Sequence, residues 1–180
     1  MSSHMRPAFD IVEIRSAKGD LCRRLLKSLP EWFGIPEAIE NYSTEVESLP
    51  LLAAVSGGTE IGFIALKFQT AVAADAYVLG VAKEWHRRGV GKALFAAAEK
   101  LSLARGAKFM TVKTIASSHP DPNYAKTRLF YEAIGFEPLE VFPTLWGSHN
   151  PCLMMLKLLD PSRLLPTQTL SRGQGGLIPA

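Results

Sequence analysis

The stretch DAYVLGVAKEWHRRGVGKALF (75–95) constrains the fold most. It joins a strand-like run to a helix-like run through a turn holding two glycines, two arginines and a lysine. Beyond the turn, Val90, Leu94, Ala97, Leu101 and Ala104 keep one helical stripe as far as Gly106, a C-cap. The start of a helix leaves backbone N–H groups unpaired and carries about half a positive charge. Glycines let that backbone approach an anion closely. The segment therefore reads as a phosphate cradle or as a solvated basic turn. Two phosphate motifs fail against it. The ATP-type loop needs a glycine where His86 stands and a hydroxyl where Ala93 stands. The dinucleotide fingerprint needs a third glycine where Leu94 stands.

The remaining elements follow from period and punctuation. FDIVEIRS (9–16) is a strand, and DLCRRLLKSL (20–29) is an amphipathic helix that Pro30 ends. Ile35, Ile39, Tyr42 and Val46 mark a second helix. LPLLAAV (49–55) and EIGFIALKF (60–68), joined by SGGT, form a hairpin, and DAYVLGVA (75–82) is the next strand. KFMTVKTIA (108–116) is rich in β-branched residues and reads as a strand. PNYAKTRLFYEAIGF is a short helix closed by Gly135, and FEPLEVF and PCLMMLKLL are the last two strands. The order is β-α-α-β-β-β-α-β-α-β-β, an α/β or α+β chain with a mixed sheet.

With 180 residues, 47% of them hydrophobic, one domain is expected, here over 9–159. MSSHM looks like an expression remnant with Met5 as a native start, and residues 1–8 are expected to be disordered. Residues 160–180, rich in Pro, Gly, Ser and Thr, read as a disordered tail. A net charge of +3 argues against a nucleic-acid partner. No apolar run approaches the roughly 20 residues of a membrane span. The two cysteines, Cys22 and Cys152, suggest neither a disulfide framework nor a metal site, and a cytoplasmic setting is the simplest.

LGVAKEWHRRGVGKALFAAAEKLSLARGA resembles the acetyl-coenzyme A loop of the GCN5-related N-acetyltransferase family, [QR]-x-x-G-x-[GA], with His86 in the first motif position. FYEAIGF (130–136) is similar to that family's aromatic-Tyr-x-x-x-Gly-Phe helix end, and the element order is the family's over roughly 9–159. The asparagine often found seven residues before that tyrosine is replaced by Tyr124, with Asn123 beside it. The resemblance implies an acetyl-CoA-dependent N-acetyltransferase in which an amine attacks the thioester directly, in a ternary complex. A small-molecule primary amine is the expected acceptor. A protein N-terminus or lysine is the alternative within the class, and a non-catalytic acyl-CoA-binding module the alternative outside it. A homodimer is compatible with the resemblance.

The same resemblance implies roles. His86, Arg87, Arg88, Gly89, Val90, Gly91 and Lys92 would hold the phosphates of acetyl-CoA, and Asn123 or Tyr124 would touch the pantetheine arm. Leu79, Gly80 and Val81 would border that arm, with the Val81 N–H on the thioester carbonyl and Gly80 permitting a bulge. Tyr131 would be the general acid for the thiolate. Asp75, placed by period two on one face with Tyr77, Leu79 and Val81, is the first choice of general base, with His119 and Asp121 as alternates. Trp32, Phe33, Tyr42 and Trp146 would line the acceptor site, and Glu31, Glu37 and Glu40 could attract a cationic amine. No metal is called for.

Overall fold

The computed structural model describes residues 8–164. Its elements are β1 (Asp10–Ile14), α1 (Lys18–Lys27), α2 (Pro36–Glu45), β2 (Leu51–Ser56), β3 (Thr59–Thr70), β4 (Ala73–Val81), α3 (Val90–Ala104), β5 (Phe109–Ile115), α4 (Pro122–Ala133), β6 (Glu137–Phe142) and β7 (Cys152–Leu158). Every expected element is present in the expected order. A 3-10 turn, Pro161–Leu164, follows β7. The start of the expected tail is thus structured, and the rest of it, like residues 1–7, lies outside the described residues.

The strands form one seven-stranded sheet in the order β1-β2-β3-β4-β5-β7-β6. Successive residues of a strand face opposite sides. Leu51, Ala53, Phe63 and Ala65 accordingly pack with Leu21, Cys22, Leu25, Leu26 and Ile39 of α1 and α2. Leu52, Ala54, Ile64 and Leu66 pack with Leu94, Phe95 and Ala98 of α3 and with Tyr131 of α4. Burial on both faces is why LLAAV and IGFIAL read as continuous apolar runs rather than alternating ones.

The functional geometry is set by two irregularities in β4. The first is a bulge. Ala65 pairs with Val78 and Leu66 with Ala76, which leaves Tyr77 unmatched. The extra residue reverses the side-chain alternation. Ala74 and Ala76 face the α3 side, whereas Val78 faces α1 and α2 and Leu79 and Val81 pack toward α3. The expectation that Asp75, Tyr77, Leu79 and Val81 share one face is therefore corrected: Asp75 and Leu79 lie on opposite faces. Gly80 is not the bulge residue. A Cβ there would come within 3.2 Å of Leu29 Cδ1 and 3.4 Å of Phe63 Cε1, so glycine permits close packing under the end of α1.

The second irregularity is a splay. β4 and β5 pair in parallel only from Ala73 with Phe109 to Ala76 with Val112. Past the bulge, β4 stays on β3 through Val81 and β5 stays on β7 through Ile115. A wedge opens between them.

Candidate active site

Backbone groups line one bank of the wedge. In an antiparallel pair, hydrogen-bonded and non-hydrogen-bonded positions alternate. Ala82 N–H donates to Ile61 O at 2.8 Å. Phe63–Gly80 and Ala65–Val78, in step with it, are then also hydrogen-bonded positions. Gly62–Val81 and Ile64–Leu79 are the alternates. The N–H and C=O groups of Leu79 and Val81 consequently point away from β3, into the wedge. The Val81 carbonyl accepts a hydrogen bond from His86 Nε2 at 2.7 Å.

At the open end of the wedge, beyond Val81, lies the start of α3. Its N-cap is Gly89 at φ 81°, a left-handed conformation that favours glycine, with no side-chain cap and no acid in the first turn. Ala93 N–H is bonded to Gly89 O at 3.0 Å, so the N–H groups of Val90, Gly91 and Lys92 emerge ahead of the first intrahelical bond. A Cβ on Gly89 would meet nothing within 4 Å, so this surface is open. Gly91 serves another purpose: its Cβ would sit 3.1 Å from Phe130 Cζ, and glycine lets α3 and α4 approach. Arg87 also takes a left-handed conformation, at φ 61°, and Arg88 lies over the Trp85 ring at 5.3 Å. Arg87 and Lys92 are exposed.

Toward its apex, where β4 and β5 part at Ala76 and Val112, the wedge meets a cavity of about 510 Å³. It brings together Trp32, Phe33, Tyr42, Leu79, Tyr124, Tyr131 and Trp146, all expected from the sequence to serve cofactor, chemistry or acceptor. His119, Asp121 and Glu31 line it too; Val81, Asn123 and Asp75 do not. Tyr131 is 5% exposed, with Phe95, Phe130 and Phe136 around its ring at 5.8, 5.7 and 6.0 Å. Its hydroxyl takes no partner among the described residues, yet it is not sealed from the cavity. Burial pushes this phenol well above its usual range, so it stays protonated and can donate.

The loop after α1 straps across the wedge. Trp32 Nε1–H donates to Thr127 Oγ1 at 3.1 Å, and the Tyr124 hydroxyl donates to Trp32 O at 2.7 Å. On the opposite bank the Trp32 ring meets His86 edge-on at 5.7 Å, and Glu31 pairs with Lys83. Burial, with the charge of Asp121 adding, pushes the Tyr124 phenol up to about 12. Phe33, Tyr42 and Tyr77 form an edge-to-face row, with centroids 6.2 and 5.4 Å apart. The Tyr77 hydroxyl is turned away to Glu45, which Lys67 also engages.

Asp75 does not sit where a general base is needed. It is 3% exposed, accepts from Thr111 Oγ1 at 2.7 Å and holds Lys113 Nζ at 3.0 and 3.1 Å. This is a structural ion pair across the last zipped turn of β4 and β5. Its removal from the cavity follows from the Tyr77 bulge, which the period-two argument did not contain. His119 Nδ1 accepts the Asp121 N–H at 3.3 Å, so that nitrogen is engaged by the backbone. Glu40 is engaged by Arg23 and Lys27, and Glu37 lies outside the cavity. Tyr77, Lys113 and Asn150 line the cavity without having been singled out. Thr111 and Lys113, polar at i and i+2 in a β-branched strand, were a readable sign of a polar face; Asn150 had none.

Among the described residues no group of three His, Cys, Asp or Glu could hold a metal ion, and no helix is long and apolar enough to cross a membrane.

The splayed strand pair, the uncapped start of α3 and the cavity beside the buried Tyr131 phenol together form the candidate site. Residues 47–138 match the acetyltransferase (GNAT) domain family, and the chain belongs to that family, whose members are acetyl-CoA-dependent N-acetyltransferases. No curated protein matches it in sequence. Several solved structures share the fold. An aminoglycoside 6′-N-acetyltransferase complexed with coenzyme A has 20% identity and a TM-score of 0.69 over 84% of this chain and 98% of that one. A GNAT-family acetyltransferase from Elizabethkingia anophelis with acetyl-CoA bound has 18% identity and a TM-score of 0.65, over 86% and 100%. The ribosomal-protein-S18-alanine N-acetyltransferase from Escherichia coli has 16% identity and a TM-score of 0.66, over 90% and 98%.

Proposed function

We propose that the chain transfers the acetyl group of acetyl-CoA to the primary amine of a small molecule, by direct attack within a ternary complex. One observation carries this reading: outward-facing backbone groups at Leu79 and Val81 lead from the open start of α3 to a cavity under Tyr131. The fit to the cosubstrate rests on this chain's own features. The uncapped N–H groups of Val90 to Lys92 and the open face of Gly89 suit a pyrophosphate, with Arg87 and Lys92 adding charge. The wedge suits an extended arm that hydrogen-bonds as an extra strand would.

Acetyl-CoA supplies an activated acyl thioester. Leu79 lines the cavity and Val81 does not, so the Leu79 N–H is the donor for the carbonyl oxygen as it gathers charge. A preorganised donor of this kind is worth about 2.7–4 kcal/mol in well-studied acyl transfers. Cavity water takes one proton from the ammonium before attack; as the carbon–sulfur bond breaks Tyr131 gives its proton to the departing sulfur, and water returns the second proton of the acetylated nitrogen to the Tyr131 oxygen. A cytoplasmic setting belongs to the same reading, supported by two free, buried cysteines.

Calorimetric titration with acetyl-CoA, CoA and ATP tests the proposal. Binding of the CoA species and not ATP, weakened more than about tenfold by Gly89→Val because a β-branched side chain strains a left-handed residue, is the expected result. No binding of any CoA species overturns it.

A further inference from the structure

We infer that the acceptor is a monoamine carried on an aromatic or apolar body rather than a polycation; the inference rests on the acetyl-transfer reading above. Charge accounting comes first. Among the described residues, only two carboxylates line the cavity, Glu31 and Asp121. Glu31 is already paired with Lys83. Asp121 Oδ1 accepts the Asn123 N–H as the cap of α4, while Oδ2 has no partner among the described residues. The nearby carboxylate of Asp75 is spent on Lys113 and Thr111. Lys113 itself lines the cavity. One anionic oxygen is therefore open, and a second ammonium group would find no free carboxylate on the cavity wall. Taking an unpaired charge out of water is costly, so this site selects against polycations of the aminoglycoside kind.

The walls say what the single ammonium is attached to. Trp32, Phe33, Tyr42, Tyr77 and Trp146 all face the cavity. The row from Phe33 through Tyr42 to Tyr77 is fixed by its own edge-to-face contacts, and the Tyr77 hydroxyl is directed outward to Glu45. The Trp32 N–H is likewise engaged, by Thr127, so these two residues offer the cavity ring surface with their polar groups occupied. Ile35, 57% exposed, also lines the cavity and extends the apolar surface. Ring faces hold an aromatic or alkyl body by area and an ammonium by cation–π attraction. Asp121 anchors the amine and the aromatic row holds its body.

The test is thiol release from acetyl-CoA with 2-phenylethylamine, hexylamine, spermidine and kanamycin, alongside the acetyl-CoA affinity of the same protein. Both monoamines are expected to exceed the polycations in kcat/KM by about tenfold or more, with the arylalkylamine leading. Asp121→Asn keeps a residue competent to cap α4 and removes the charge. It should raise KM for the amine roughly tenfold or more, at unchanged acetyl-CoA affinity and melting temperature. Phe33→Leu keeps apolar bulk but no ring, and should erase the lead of phenylethylamine over hexylamine. Preference for spermidine or kanamycin overturns the inference, as does acetyl-CoA binding with no turnover of either monoamine. Loss of acetyl-CoA binding altogether is a different failure, that of the acetyl-transfer reading itself.

Discussion

Tyr131→Phe removes one oxygen and leaves the rest of the side chain in place. The ring keeps its contacts with Phe95, Phe130 and Phe136, and the hydroxyl has no protein partner to strand. A net hydrogen bond contributes about 1 kcal/mol to stability, and here none is lost. The melting temperature should therefore move by less than about 2 °C, given about 2–4 °C per kcal/mol for a domain of this size. The chemistry has no such protection. A positioned general acid contributes about 100- to 10,000-fold, so kcat should fall within that range while the affinity for acetyl-CoA stays constant. Burial keeps the phenol protonated far into the alkaline range, so the native enzyme should show no alkaline loss of kcat arising from Tyr131. Stopped-turnover assays of thiol release across pH, paired with calorimetry, read all three quantities. A variant whose kcat stays within about threefold of native refutes the acid role, and one that loses acetyl-CoA binding shows that the hydroxyl holds cosubstrate instead.

Other perturbations test the frame around it. Asp75→Ala strands the Lys113 ammonium and should cost about 3 kcal/mol, read as a drop in melting temperature, while the surviving activity keeps its pH profile; an altered profile would return Asp75 to the chemistry. All four tyrosines, Tyr42, Tyr77, Tyr124 and Tyr131, have phenols raised first by burial. A folded pKa above the unfolded value, about 10 for tyrosine, gives stability that is complete below that pH and lost as pH rises. Tyrosinate absorbance should appear only together with loss of fold, and its appearance in intact protein near pH 10 would contradict the burial. Cys22 and Cys152 are both buried and both pushed up to about 11. Neither should react with a thiol reagent at pH 8 until the protein unfolds.

The elements were legible because each carries its own local signal. Leu21, Leu25 and Leu26 recur at helical spacing and are buried on α1. SGGT supplies two residues at positive φ, Gly57 and Gly58, for the β2–β3 turn. The loop after β4 was legible for the same reason: uncapped N–H groups, a glycine at the N-cap and no acid in the first turn of α3 are all properties of consecutive residues. The aromatics of the cavity wall were legible only as residue types. Trp32 and Trp146 lie 114 positions apart in the chain, and nothing in their local sequence says that they face one cavity.

Asp75 marks the boundary most sharply. Its position in the strand was right and its direction was not, because one unmatched residue at Tyr77 reverses the alternation, and a bulge depends on how β3 meets β4 rather than on either strand. The same is true of the splay. β5 leaves β4 after Val112 to stay with β7, a choice made by pairing among three strands distant in sequence. By itself the sequence determined the elements, their order and the glycine-bearing turn before α3, since these follow from short-range period, capping and glycine geometry. Only the tertiary structure decided which backbone N–H faces the wedge, which carboxylate is neutralised and which stays open. Each of those depends on a partner that the chain brings into place only when the sheet closes.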